Sequence, residues 1–241
     1  MRFLQSLLGE MPREDGRLTA ADMRRAFQNL PALEGEQVRL RLPSLSDAGD
    51  LFAYARDEEM SRFVLWDTHR SLGDSREVLR GIVRRNRRGL PVTLAIALKS
   101  DDRMIVTIGF QWIDAECRSC EVGYSIARRL WNHGIATDAL RAILPLAFDT
   151  LGLNRVEARH DVQNPASGRV MEKAGFHLEG VARESLMLKG RLADMASYAI
   201  FKEDWRRQTL QRKSREAQAI KSIAQAETDE IQQGMRKEDV V

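Results

Sequence analysis

Cysteine is almost absent from this 241-residue chain, which carries only Cys117 and Cys120. A structural zinc needs four ligands, and no second Cys pair exists to complete one, so the C-x-x-C spacing is not read as a metal or redox site. The pair falls between two strand-like runs and is placed in a hairpin loop. Cysteine this scarce fits a reducing, cytoplasmic setting. Long apolar runs are missing too: none approaches the roughly 20 residues of a bilayer-crossing helix, so no membrane partner is expected. The start, Met1 to Leu8, is faintly signal-like. Its apolar part is short, and Glu10 follows without a small-residue cleavage site, which argues against export. Charge of one sign is also lacking. With 38 Lys and Arg against 35 Asp and Glu the net charge is +3, below what a dedicated nucleic-acid binder carries, and no direct nucleic-acid partner is expected. No internal repeat or low-complexity tract stands out. His133, His160 and His177 are scattered, and none is read as a metal ligand.

What is present is an ordinary globular composition, 43% hydrophobic and 30% charged, with chain enough to bury a core. After a polar preface, Thr19 caps a short helix expected to run to Asn29, which Pro31 ends. Val38 to Leu42 alternates as a first strand, and Ser46-Asp47-Ala48 opens a helix. A loop from Trp66 to Gly73 leads into a second helix, Asp74 to Arg88, stopped by Gly89 and Pro91. Val92 to Leu98, Met104 to Ile113 and Cys120 to Ile126 form an antiparallel meander. His133 to Leu151 reads as a helix kinked at Pro145. Arg155 to Val162 is a strand, Asn164-Pro165 starts a helix that Gly175 ends, and His177 to Leu188 and Met195 to Phe201 are two further strands. The segment from Asp204 to Val241 favours helix but has sparse apolar positions, so it reads as an appended arm. This order describes an α/β fold, a mixed sheet flanked by helices.

One basic cluster, Arg84, Arg85, Arg87 and Arg88, closes the second helix. It is either a solvated helix end whose cations meet the C-terminal dipole or a patch for an acidic ligand or an RNA-rich surface.

The chemistry is concentrated between Glu121 and Phe176. A strand through Glu121-Val122-Gly123-Tyr124 feeds a loop, Trp131-Asn132-His133-Gly134-Ile135-Ala136-Thr137, into a helix start. The first amides of a helix have no internal partner, and with the helix dipole they make an anion site. Gly134 allows a positive φ or close approach, Asn132 is the next-best residue for a left-handed conformation, and small Ala136 leaves room. On the loop alone, an ordinary strand-to-helix turn explains the pattern as well.

What flanks the loop is more specific. Trp131-x-x-Gly134-Ile135-Ala136-Thr137-Asp138-Ala139 is followed by Leu151-Gly152-Leu153-Asn154-Arg155, Asn164-x-x-Ser167 and Glu172-Lys173-x-Gly175-Phe176. Glu179-Gly180, Arg183-Glu184, Gly190 and Asp194 come after. This ordered set resembles the Gcn5-related N-acetyltransferases (GNAT), and within them the branch that acetylates N-termini of ribosomal proteins. The resemblance covers roughly Leu33 to Trp205. It implies an acyl-CoA N-acyltransferase fold, a mostly antiparallel sheet with a splayed central strand pair, over residues 34–205. Residues 1–33 and 206–241 are then extensions, which suggest a partner or self-association surface such as a homodimer.

The resemblance implies acetyl-CoA as donor. The pyrophosphate is expected on amides from Trp131 through Thr137, and the pantetheine beside Tyr124, Ser125, Ile126 and Ala127, with Asn164 at the cleft. Glu121 is the candidate base, directly or through water, or else a solvent-facing strand residue. Many superfamily members place a proton-donating Tyr seven residues after the Asn; here that position is Met171, and Ser167 is the remaining candidate acid. Asn132 departs from a glycine usual in the branch. Trp66, in the substrate-side loop, is an aromatic wall for the acceptor or a core anchor. The leading reading is acetyl transfer to a protein α-amine. Transfer to a small-molecule amine (a polyamine or an antibiotic) and a non-catalytic CoA-binding module are the alternatives.

Overall fold

Apolar strand residues set the centre of the molecule. In the computed structural model, which describes residues 19–28, 30–90 and 92–238, Thr93–Leu98 (β3) and Met104–Asp114 (β4) are almost fully buried along their apolar stretches. They sit within an eight-stranded sheet among the described residues. The strands before them are the short Leu33–Glu34 (β1) and Val38–Arg41 (β2); those after are Ser119–Tyr124 (β5), Arg155–Asp161 (β6), His177–Leu188 (β7) and Arg191–Phe201 (β8). The spatial order is β1-β2-β3-β4-β5-β6-β8-β7. Neighbours pair antiparallel except β5 and β6, which run parallel.

That parallel pair is short. It holds only at Ser119↔Arg155, Cys120↔Val156 and Glu121↔Glu157. β5 continues to Tyr124 along β4 and β6 to Asp161 along β8 without pairing further to each other. The sheet therefore opens a wedge at its centre, as the family resemblance implies.

Helices cover the sheet. Ala20–Gln28 (α1), Ala48–Ala55 (α2), the single turn Glu58–Ser61 (α3) and Leu72–Arg87 (α4) precede the meander, while Ile135–Pro145 (α5) and Pro165–Ala174 (α6) follow it. Two of the starts carry a reciprocal side-chain cap. The Thr19 hydroxyl accepts the Asp22 amide at 3.1 Å and Asp22 accepts the Thr19 amide at 3.0 Å, while Ser71 and Asp74 form the same reciprocal cap on α4. α5 does not simply kink at Pro145: the helix widens there into a π-helical turn, Leu146–Thr150, where the Leu151 amide reaches back to the Leu146 carbonyl at 2.9 Å. Proline supplies no N–H for an α-type bond, so the ladder is reset around it. Phe27, Phe110, Leu140, Ile143 and Phe148 are among the fully buried side chains.

Three sequence expectations need adjustment. Only Cys117 lies in the β4–β5 turn; Cys120 is a buried β5 residue. The eighth strand begins at Arg191 rather than Met195, because the hairpin turns at Lys189 and Gly190 in positive φ. The second helix begins at Leu72, two residues earlier than its apolar pattern suggests. Residues 1–18, Asn29 and Pro91, on which parts of the sequence reading fall, lie outside the described residues. The chain divides into two compact units that part between Lys202 and Glu203. The second consists of the helix Lys202–Glu238 (α7) beyond its first residue.

Candidate active site

The loop between β5 and α5 has the backbone an anion site requires. Asn132 and Gly134 both adopt positive φ, 65° and 79°. Gly134 stands directly before the helix, and the only atom near the position of an added Cβ is Gln37 Nε2, at 3.6 Å. The amides of residues 132–137 donate to no backbone carbonyl among the described residues, whereas the Asp138 amide returns to Gly134. Six successive N–H groups at a helix N-terminus, on a partly open loop, fit a diphosphate. Trp131 shapes the approach, since its Nε1–H donates to the Ile126 carbonyl at 2.8 Å. His133 Nδ1 lies 2.7 Å from the Trp131 carbonyl. Both side chains thus serve the loop's own conformation.

Asp138 was not singled out in the sequence. An acidic residue in the first turn would oppose a bound anion, but this carboxylate is committed elsewhere. It accepts the amides of Glu36, Gln37 and Val38 at 2.7, 2.7 and 3.1 Å. A Cβ at Gly35 would lie 2.6 Å from its oxygen. Asp138 therefore clamps the β1–β2 turn onto the start of α5. No local pattern announces this, because the partners lie about a hundred residues away.

Beyond Tyr124 the strand leaves the sheet. The Ser125 amide still donates to Thr107, and the Ile126 carbonyl is taken by Trp131, but the Ile126 and Ala127 amides have no backbone acceptor among the described residues. A ligand chain running along this edge finds those donors free. Across the wedge, Asn164 precedes α6 without making a side-chain capping bond. The expected N-cap role is carried only by its carbonyl, which accepts the Ser167 amide at 3.1 Å. The Asn164 side chain is left for another partner.

The two candidate catalytic residues sit at different edges of the wedge. Glu121 occupies the last position of β5 that pairs with β6 and is 8% exposed, so it is no solvent-facing strand residue. Trp112 Nε1–H and Arg159 Nη2–H both donate to its Oε2 at 2.8 Å, which leaves Oε1 outside these bonds. Ser167, in the first turn of α6, meets Tyr124 instead, whose hydroxyl is 3.2 Å from both the Ser167 carbonyl and its Oγ. Burial pushes the Tyr124 phenol well above its usual pKa, with the Ser167 bond pulling the other way, so it remains a protonated donor. Glu121 and Tyr124 are three positions apart on a strand and face opposite sides of the sheet. No hydrogen bond joins Glu121 to Ser167 among the described residues.

This combination of a splayed parallel pair and a phosphate-type loop meets the sequence evidence. A sequence model of the Acetyltransferase (GNAT) domain matches residues 37–177. The chain belongs to the GNAT acetyltransferases. It is an N-acetyltransferase, and its fold is the GNAT fold. The chain is 29% identical over 176 residues to the uncharacterized N-acetyltransferase p20 of Bacillus licheniformis, covering 73% of this chain and 99% of that protein. It is 30% identical over 87 residues to the [ribosomal protein uS5]-alanine N-acetyltransferase of Escherichia coli, 36% of this chain and 45% of that one. Among solved structures it resembles RimL, a ribosomal L7/L12 alpha-N-protein acetyltransferase in complex with coenzyme A. There the TM-score is 0.64 at 20% identity, over 71% of this chain and 98% of that one.

In this GNAT domain Trp66 stacks near His69, with ring centroids 5.6 Å apart. With Asp67, Asp74, Glu77 and Val78 they line a cavity of about 320 Å³. Lys189, at the β7–β8 turn, donates from Nζ to the Trp66 carbonyl at 2.6 Å and to Asp67 at 2.7 Å. The loop that the sequence marks as substrate-side is thereby tied to the β7–β8 hairpin. His69 Nδ1 lies 2.7 Å from the Ser75 hydroxyl, and burial pulls its pKa down, partly offset by Asp74. The thiols of Cys117 and Cys120 are both free. Cys117 is exposed and raised in pKa chiefly by its bond to Asp114, while Cys120 is buried and raised by burial. Among the described residues no group of three His, Cys, Asp or Glu could hold a metal, and no helix is long and apolar enough to cross a membrane.

Proposed function

We propose that this GNAT enzyme transfers acetyl from acetyl-CoA to a protein N-terminal α-amine, with residues 34–205 as the catalytic domain and the reaction in the cytoplasm. The observation that carries the donor is the run of unpartnered amides at residues 132–137 beside the opened edge of β5. Those amides hold the diphosphate, the free Ile126 and Ala127 amides receive the pantetheine carbonyls, and Asn164 closes the cleft. Coenzyme A in the RimL structure supports this reading. Acetyl-CoA supplies the acyl carbon and a thiolate leaving group.

Within the wedge Glu121 and Ser167 reach an acyl group from opposite faces of the sheet. Glu121, through its less encumbered Oε1 or a water, takes a proton from the acceptor's ammonium before attack or from the amine nitrogen as it attacks the acyl carbon. Ser167, held by Tyr124, returns a proton to the departing sulfur. Trp66 and the loop tied to Lys189 border the acceptor side. The ribosomal-protein acetyltransferases among the relatives favour a protein α-amine. A second reading, a small polyamine, is favoured by the carboxylates of Asp67, Asp74 and Glu77 around the Trp66 cavity.

The test is thiol release from acetyl-CoA with N-terminal peptides, polyamines and aminoglycosides as acceptors. Turnover on peptides supports the first reading. Turnover confined to small amines replaces it with the second, and donor binding without turnover on any acceptor overturns both acceptor readings.

A further inference from the structure

The C-terminal half of α4 borders a second cavity, of about 530 Å³, that the acetyl-transfer chemistry does not use. Its lining includes Arg80, Arg84, Arg87 and Arg88, with Leu45 and Val83 between them. Spacings of four, seven and eight residues put the four guanidiniums on one helical face over roughly 12 Å. All four are exposed. None of these guanidiniums takes part in an ion pair or hydrogen bond among the described residues. This sets them apart from Arg39, Arg41, Arg103, Arg155, Arg159 and Arg191, each of which pairs with a carboxylate.

The helix dipole accounts for cations in a last turn, but not for this arrangement. Arg80 lies two turns before the end, and Arg85, equally close to the end, does not line the cavity. The opposite wall is fixed. Leu45 opens a short turn whose Asp47 receives two bonds from Arg41, at 3.0 and 2.8 Å, and one from the Ser44 amide at 2.7 Å. Leu45 nevertheless remains 52% exposed.

We propose that this cavity docks an acidic polypeptide segment that also carries apolar side chains. Guanidinium forks match carboxylates in two-point contacts, and Leu45 with Val83 offers a strip for an aliphatic residue. A nucleic-acid backbone would satisfy the charge but leave that strip uncovered, and no aromatic ring lines the cavity for base stacking. The site is independent of whether the acetyl acceptor is a protein or a small amine.

The experiment is fluorescence anisotropy of the full chain with a labelled peptide of alternating Glu and Leu pairs, against an all-Glu peptide and a short RNA duplex. The expected result is binding to the Glu/Leu peptide that weakens as salt is raised. Arg84→Glu with Arg88→Glu should reduce it at least tenfold, while acetyl-CoA binding and the thermal melt stay unchanged. Leu45→Ser should weaken the Glu/Leu peptide at least threefold and leave the all-Glu peptide unaffected. No peptide binding, equal binding by the charge-reversed protein, or tighter binding of the RNA duplex would overturn the proposal.

Discussion

The Tyr124 hydroxyl lies 3.2 Å from the Oγ of Ser167, joining the C-terminal end of β5 to the first turn of α6 across the gap between β5 and β6. It can also donate to the Ser167 carbonyl. Tyr124 thereby sets where the Ser167 hydroxyl points. Tyr124→Phe removes a bond worth about 1 kcal/mol net, and kcat is expected to fall roughly fivefold with acetyl-CoA affinity little changed. Steady-state rates together with calorimetric acetyl-CoA binding check this. Unchanged kcat would remove Tyr124 from the positioning of Ser167.

Glu121→Gln keeps an acceptor for Trp112 and Arg159 but cannot take a proton. Turnover at neutral pH is expected to drop roughly a hundredfold or more, with the acetyl-CoA dissociation constant within about twofold of the parent. Full activity in the variant would show that Glu121 is not the base.

Gly134 holds φ at 79° immediately before the helix. Gly134→Val places a β-branched residue in the left-handed region and turns the exposed amides away from the ligand. Acetyl-CoA binding is expected to weaken at least tenfold, read by calorimetry, while circular dichroism stays that of the parent protein. Wild-type affinity would place the diphosphate elsewhere.

Asp138→Ala leaves three amides of the β1–β2 turn without their acceptor. A loss of about 3 kcal/mol is expected, lowering the melting temperature by roughly 6–12 °C. A melting temperature within about 2 °C of the parent would mean that water replaces the clamp at little cost.

His69 titrates below the ordinary histidine value because it is buried, Asp74 partly offsetting. The unfolded chain therefore binds this proton more readily than the folded one. The stability contribution is full above the unfolded value of about 6.5 and is lost as pH falls below it toward the folded value. Thermal melts between about pH 7.5 and 5.5 should show a decline that His69→Gln reduces. An identical decline in the variant would assign it to other groups.

Much of this molecule was legible locally. The alternation at Val38 to Leu42, the cap at Thr19, the Asn132 and Gly134 positions and the Asn164-Pro165 helix start all follow from which backbone conformations those residues tolerate. The motif order carried the family, and with it the expectation of acetyl-CoA as donor. The sequence left Glu121 divided between catalytic base and solvent-facing strand residue, and it put Cys120 both in the hairpin loop and at the start of the returning strand, of which only the second holds. It did not reveal Asp138 at all.

What the sequence by itself determined, then, is the succession of strands and helices, the loop that can bind a diphosphate, and the reaction class. The first two depend on dihedral preference and apolar period, which act over a few residues, and the reaction class on the family resemblance of the ordered motifs. Only the tertiary structure decided that β5 and β6 part after Glu121, that Tyr124 meets Ser167, that Lys189 ties down Trp66, and that Asp138 reaches back to residues 36–38. Each of these depends on strand register and chain crossing, which bring together polar groups lying between 36 and 123 residues apart. A local pattern fixes which way a side chain faces. The partner it finds there is chosen by the packing of the whole sheet.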